Sequence, residues 1–536
     1  MKRRQFLQSG STLLGVAALS ACGSGGGSAA EATPNAPPAP PIRPATGQAN
    51  ALNVSVDALS AGRAVNRLVL GQNLQWVDRG DGMFDATANP RPEMVGLAQS
   101  LGSTTLRYPG GLQSDTYHWQ RGMGLLTQRG LNEHANARRM QTTLVGTQEF
   151  LELCEALNAT PLITVNLASG TAEEAAQEAA AWVRQVNITR LTSSKTGNRL
   201  PKVLMWELGN EPYLKPEEQP SLWMTPAEFS QRAGLCAGAM RAVDGDIRLS
   251  LPLASDKRNG FQATPYQGFT REVWRTPVPG VSHISLHNAY VPFGMDRTYS
   301  RDELYWGAMA GGRSVAADLQ AMRSLLADLQ PGNQLAFAIT EHNALFTLGK
   351  GDTDQLTKSI TGALAVADVL RVLTSEPDVA MAHFWSLSGN GFFGAIHQDA
   401  RLRPTGQVLT LFNEALKGQL LPASMSAPTV STPGVGASAA VASLPVAEVL
   451  ATREGQQLRL LIIHKDYANP ATLKLALGAA RIASGQVSVL GGGDVFDISD
   501  RAGIMTRIDT AWPANGQLGL PPHSVALITL NLAASA

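Results

Sequence analysis

Eight short apolar runs, many separated by amphipathic helical text, constrain this chain more than any other feature. They are VNRLVLGQNL (65–74), TTLRYPG (104–110), TPLITVNL (160–167), KVLMWELGN (202–210), IRLSLPLAS (247–255), VSHISLHNAY (281–290), LAFAITEHN (335–343) and VAMAHFWSLSG (379–389). Stretches such as TAEEAAQEAAAWVRQV (171–186) and QLTKSITGALAVADVLRVL (355–373) place apolar residues at helical spacing between them. Strands alternating with helices predict a parallel sheet with right-handed crossovers. Eight of them within residues 60–420 predict an α/β fold, a (β/α)₈ TIM barrel with enlarged loops. An open doubly wound sheet is the competitor, but no glycine-rich phosphate loop follows the first strand.

A chain of 536 residues exceeds what one core organises, so a second unit is expected. From about residue 446 the texture changes to short alternating strands with Gly and Pro turns, as in VAEVLATREGQQLRLLIIHKDY and GQLGLPPHSVALITLNL. Residues 421–536 therefore read as a β-sandwich. A strand at 51–59, within QANALNVSVDAL, is expected to join it from the other end of the chain. A weak break rich in Ser, Pro and Gly lies at 423–441.

The start, MKRRQFLQSGSTLLGVAALSACGSGGG, runs from basic to apolar to small residues, the layout of an export signal. Arg3 and Arg4 followed by Phe6 and Leu7 resemble a twin-arginine signal, and Leu19-Ser20-Ala21-Cys22 resembles a lipobox. Residues 1–22 are thus expected to be a lipoprotein signal peptide, with Cys22 the lipidated residue. The product would be exported by the twin-arginine route, periplasmic or at the cell surface, and held to the membrane by acyl chains on Cys22. Residues 23–50, mostly Gly, Ser, Ala and Pro, read as a disordered stalk.

Lys plus Arg and Asp plus Glu both number 43, so the net charge is zero and gives no pull toward nucleic acid. Cys154 and Cys236 are isolated in helical text and are expected to be buried small hydrophobes rather than metal ligands. No metal or organic cofactor motif is found.

A barrel of this kind carries its active site at the C-terminal strand ends. The second strand ends in Arg107-Tyr108-Pro109-Gly110-Gly111, the fourth in Asn210-Glu211, the sixth in His287, Asn288 and Tyr290. The seventh ends in Glu341-His342-Asn343, and the eighth in Trp385 with Asn390 beyond it. Glu211 and Glu341 come from opposite sides of the rim, the arrangement that glycosidic cleavage by two carboxylates needs. Glu207 shares the face of Glu211 but is expected about 13 Å deeper at strand rise, as a buried paired charge. Arg107 is expected to keep Glu341 ionised, His287 to contact the sugar, and Trp385 to floor a sugar subsite. Pro212 is read as the residue that stops the fourth strand.

These residues resemble the clan A retaining glycoside hydrolases, in which an acid/base follows an Asn on strand four and a nucleophile ends strand seven. LRYPGGLQSDTYHWQRGMG (106–124), WELGNE, TEHNALF and PPHSVALITL are similar to the α-L-arabinofuranosidases of family fifty-one. The resemblance implies Glu211 as acid/base, Glu341 as nucleophile and Asn210 as the ligand of the hydroxyl beside the anomeric carbon. It also implies that Tyr290 and Arg107 orient Glu341, on an oligo- or polysaccharide substrate. The family's Asn after Pro-Gly-Gly is Leu112 here, and its acidic residue and Trp flanking the nucleophile are Thr340 and His342. Both departures are expected to touch the sugar pocket. WELGNEP also resembles heparanase-like β-glucuronidases, and β-xylosidases share the plan. A carbohydrate-binding surface lipoprotein on an inactive barrel is the alternative from another class.

Overall fold

The structure, a computed structural model, describes residues 42–214, 220–255, 268–294, 298–332, 334–347 and 351–533. The signal at 1–22 with Cys22, and most of the stalk at 23–50, lie outside the described residues.

Eight parallel strands close into a barrel: β1 (Gly71–Asn73), β2 (Thr105–Tyr108), β3 (Thr160–Val165), β4 (Met205–Leu208), β5 (Arg248–Pro252), β6 (Val281–Ser285), β7 (Ala336–Leu345) and β8 (Val379–Phe384). Pairing of β6 with β7, His283 opposite Ala336, completes the ring. The fold is a (β/α)₈ barrel followed by a β-sandwich.

Inward-pointing side chains fill the barrel in layers. Leu162, Met205, Ala338 and Met381 form an apolar layer. Arg107, Thr164, Glu207 and His383 make a polar group, all fully buried. Strand alternation explains β4, where Glu207 turns inward while Trp206 packs outward on Trp182.

Several strands are shorter than the apolar text suggests. Only residues 71–73 of the first run are extended, because a 3₁₀ turn at Arg67–Leu70 precedes them, its Leu68 N–H donating to Asn66 Oδ1. Gly71 is required there, since a Cβ would meet Ala382 O and Thr105 Cγ2 at 2.5 Å. β4 stops at Leu208, four residues before Pro212, because Gly209 (φ 87°) and then Glu211 (φ 40°) turn the chain. Pro212 is therefore not what ends it.

The sandwich has a four-stranded sheet, ordered 423–426, 50–56, 471–476, 517–520, and a seven-stranded sheet. Asn50–Val56 alternates buried and exposed along its length and runs parallel to Ala471–Ala476. In the larger sheet Leu460, Ile462, Ala526 and Ile528 face the sandwich core. Their neighbours Leu461, Ile463, Val525 and Leu527 join the core of the barrel. One sheet thus serves both units. The Ser- and Pro-rich text at 423–441 is not a break. Thr429–Thr432 pairs with Val441–Pro445, and Ala437 N–H donates to Pro292 O at 2.7 Å.

Candidate active site

Arg107 organises the barrel mouth. Its Nε donates to Glu207 Oε2 (2.7 Å), Nη1 to Asn73 Oδ1 (3.0 Å) and to Glu341 Oε1 (2.9 Å), and Nη2 to Asn210 Oδ1 (2.9 Å). The guanidinium has donors only, so it fixes the amide of Asn210 with its oxygen inward. Asn210 Nδ2 is buried and finds no partner among the described residues. One guanidinium spans from Glu207 to Asn210, so Glu207 lies directly beneath the site and not some 13 Å below it. The early end of β4 is the reason, because the residues after Leu208 turn instead of rising.

Glu341 sits where β7 is irregular on both sides. The register between β7 and β8 shifts between Ile339 and His342, a bulge that re-aims the side chains between them. On the other side the text 281–290 forms two strands, β6 and Ala289–Pro292, both paired with β7. Residues 286–288 lie between them, opposite the bulge, and His287 projects from this gap. Its Nε2 pairs with Thr340 Oγ1 (3.0 Å), and its Nδ1 lies 3.0 Å from Glu211 Oε1 and 3.7 Å from Glu341 Oε1. Tyr290 Oη donates to Glu341 Oε2 at 2.6 Å. One carboxylate oxygen of Glu211, one of Glu341 and a nitrogen of His287 all lie within 4.8 Å of one another. Atoms of these types could hold a cation, but Arg107 already sets a positive charge against Glu341.

The electrostatics follow from this packing. Burial works against a charged Glu207, yet Arg107 and then His287 outweigh it and hold its carboxyl at about 2. Burial lifts Glu341 above the ordinary carboxylate value, against the pull of His287 and Arg107; Glu211 adds to the lift and Tyr290 opposes it. Burial opposes charge on His287, but Glu341 and the hydrogen bond to Glu211 raise its pKa above the ordinary imidazole value.

The structure brings together Glu211, Glu341, Asn210, Arg107, His287 and Tyr290. Trp385 stands at the edge of this group, 3 % exposed, clustered with Tyr290 and Phe393. Its ring lies so close to Gly111 that a Cβ there would come within 2.5 Å. Three strand-end residues go elsewhere. Asn288 bonds Asp318, Asn343 bonds the carbonyls of Trp385 and Phe393, and Asn390 lines a neighbouring cavity. The His342 side chain packs away from the two carboxylates, while its carbonyl accepts from Trp385 N–H at 3.0 Å. It is fully buried beside Phe384, ring centroids 5.7 Å apart, and burial lowers its pKa to about 3. Leu112 remains partly exposed at the mouth. Cys154 and Cys236 are free and buried.

Two residues near the site escaped sequence reasoning. Asn73, ending β1, links Arg107 to Thr340 O (2.9 Å). Asp115 is buried, and burial with the charge of Glu211 pushes its carboxyl well up. A signal for Asp115 existed, an acidic residue four positions after Gly111 in LQSDTY.

A pair of carboxylates facing one another at a barrel mouth is an arrangement met among glycoside hydrolases. Residues 97–268 match the family described as the Alpha-L-arabinofuranosidase 1 domain. A 167-residue stretch is 34 % identical to alpha-L-arabinofuranosidase C of Emericella nidulans, covering 30 % of this chain and 32 % of that protein. The chain therefore aligns with about a third of the length of the curated relatives it matches. In three dimensions it resembles the thermostable GH51 alpha-L-arabinofuranosidase of Thermotoga petrophila (TM-score 0.73, 19 % identity), over 89 % of this chain and all of that one. It also resembles a family 44 xyloglucanase of Paenibacillus polymyxa (TM-score 0.60, 14 % identity), over 90 % of this chain and all of that one. The chain thus shares the fold of these solved structures, and residues 97–268 are similar to the arabinofuranosidase domain.

Proposed function

We propose that the protein is a retaining glycoside hydrolase of the α-L-arabinofuranosidase type, acting on oligo- or polysaccharides by double displacement. The observation that carries this reading is the pair of carboxylate oxygens of Glu211 and Glu341 within 4.8 Å of each other at the barrel mouth. Retaining enzymes hold their two carboxyl groups about 5 Å apart, whereas inverting ones leave room for a water.

In this reading Glu341 attacks the anomeric carbon while Glu211 protonates the leaving oxygen. Glu211 then takes a proton from the water that releases the sugar. Arg107 and Tyr290 each hold one oxygen of Glu341, fixing its plane for attack. Asn210 Nδ2, buried and without a partner among the described residues, donates to the hydroxyl beside the reacting carbon. His287 bridges the two carboxylates and contacts the sugar. Trp385 forms the apolar wall. As part of the same proposal, the chain is exported by the twin-arginine route and tethered through Cys22.

Glu341→Ala tests the assignment directly. Turnover is expected to vanish and azide to restore part of it, giving a glycosyl azide of inverted configuration. Full activity in that variant removes Glu341 from the mechanism. Aryl α-L-arabinofuranosides, β-xylosides and β-glucuronides, assayed side by side, decide the sugar, and the arabinofuranoside is expected to be cleaved fastest.

A further inference from the structure

His287 sits among charged groups from several strands. Its ring faces the carboxylates of Glu211, beyond β4, and Glu341, on β7. Arg107 on β2, Glu207 on β4 and His383 on β8 lie within reach of its charge. Arg107 is engaged with Glu207 and Glu341. Among the described residues, His287 is the one basic group paired with Glu211.

Thr340, the residue before the candidate nucleophile, holds the far side of the ring. Its Oγ1 lies 3.0 Å from His287 Nε2. A hydroxyl has one proton to donate, and two neighbours compete for this one. Glu207 is the stronger acceptor. Its carboxyl, at about 2, is ionised at any working pH, and the Thr340 hydroxyl is among the groups that hold it there. Glu207 Oε2 already accepts from Arg107 Nε (2.7 Å) and Thr164 Oγ1 (2.6 Å). Glu207 Oε1 is buried with no hydrogen bond of ordinary geometry among the described residues, so it is the acceptor left for Thr340.

With its proton turned to Glu207, Thr340 presents a lone pair to His287, and Nε2 therefore carries a hydrogen. Nδ1 faces carboxylate oxygens at 3.0 Å and 3.7 Å. A bare Nδ1 would set its own lone pair against theirs, so it carries a hydrogen too. Acceptors on both sides require the doubly protonated ring. Burial opposes that charge, and Glu341 and then Glu211 outweigh it.

Double displacement moves charge through this site. In the first step Glu341 loses its negative charge by bonding the anomeric carbon, and Glu211 gains one as its proton passes to the leaving oxygen. In the second step a water proton returns to Glu211, and Glu341 departs as a carboxylate. Arg107 stays with Glu341, which leaves His287 to meet the charge that appears on Glu211. We propose that Thr340 is a positioning residue for the acid/base: it keeps His287 charged and aimed at Glu211, and the imidazolium balances the carboxylate that Glu211 becomes. This deepens the glycosidase reading above and rests on it.

Thr340→Val keeps the shape of the side chain and removes the acceptor, so the charged ring is left with an unmatched buried N–H and loses its proton more easily. The test uses the full chain with 4-nitrophenyl and phenyl glycosides of the sugar it cleaves, α-L-arabinofuranose in the reading above. In Thr340→Val the alkaline limb of kcat/KM is expected to move to lower pH by about one unit. The loss is expected to be roughly tenfold greater on the phenyl glycoside, whose departure needs the proton. Thr340→Ser, which keeps the hydroxyl, is expected to restore both. Nitrogen NMR of the chain labelled with 15N-histidine reads the ring directly: at pH 6.5 both nitrogens of His287 should be protonated in the wild type, and Nε2 should lose its hydrogen in Thr340→Val. A neutral His287 in the wild type overturns the proposal, as does an unmoved limb with equal loss on both glycosides. Either result leaves the glycosidase reading standing. Release of phenol from no arabinofuranoside, xyloside or glucuronide sinks that reading and this proposal with it.

Discussion

Arg107 donates four hydrogen bonds from full burial, two to carboxylates and two to amides. Removing one partner of a buried ion pair strands the other, at about 3–5 kcal/mol. Arg107→Ala is thus expected to lower the urea midpoint by that stability as well as to abolish turnover. Its partner Glu207 gives the same interaction a pH signature. The folded carboxyl, at about 2, lies below its ordinary 4.5, so its contribution is full above pH 4.5 and is lost as pH falls toward 2. Acid unfolding followed by circular dichroism should show that loss, reduced in Glu207→Gln. Activity has its own acid limb. Glu341 must be ionised to attack, and burial lifts it, so on acidification kcat/KM should start to drop earlier than an ordinary carboxylate of 4.5 would require. Tyr290 opposes that lift, and Tyr290→Phe should move the limb to higher pH; an unmoved limb would mean that Tyr290 does not act on Glu341. Glu211→Ala should spare substrates with good leaving groups and penalise poor ones, since only the latter need a proton in the first step. Most of these side chains were legible from their places at strand ends. Asn73 was not, because nothing in GQNLQ separates an inward Asn from an ordinary polar strand end.

At the scale of elements, function depends on departures from regular strands. The bulge at 340–341 and the gap at 286–288 bring Glu341 and His287 face to face, where continuous ladders would keep them in register and apart. The apolar text showed that these strands exist but not where they break, since a bulge leaves the alternation of residue types nearly unchanged. The end of β4 was misplaced for a similar reason. Pro212 is a visible stop, whereas the positive φ of Gly209 and Glu211 acts earlier. Gly111 was visible as part of a Pro-Gly-Gly signal, and its purpose is packing, with φ 53° and the Trp385 ring where a Cβ would go. Gly111→Ala should therefore displace Trp385, cost about 1–3 kcal/mol by overpacking, and quench or shift tryptophan fluorescence on the way to lower activity. Unchanged stability would show that the ring yields freely.

The whole molecule is two units sharing one sheet. Alternation along Asn50–Val56 and along 457–464 was readable, but the fact that both faces of the larger sheet are buried was not, because the second face meets barrel helices far away in sequence. A fully buried ion pair crosses this junction. Lys465 Nζ donates to Asp368 Oδ2 at 2.8 Å, and Arg371 also bonds that carboxylate. Lys465→Ala should cost about 3 kcal/mol, and calorimetry should still show a single transition, since neither unit can keep its core without the other. Separation into two transitions would show the units to be independent. The measurement that bears most directly on the central claim is proton NMR of the sugar first released from a cleaved glycoside. Two carboxylates within 4.8 Å predict that the initial product keeps the anomeric configuration of the substrate. A first-formed product of opposite configuration would contradict double displacement by Glu341 and Glu211.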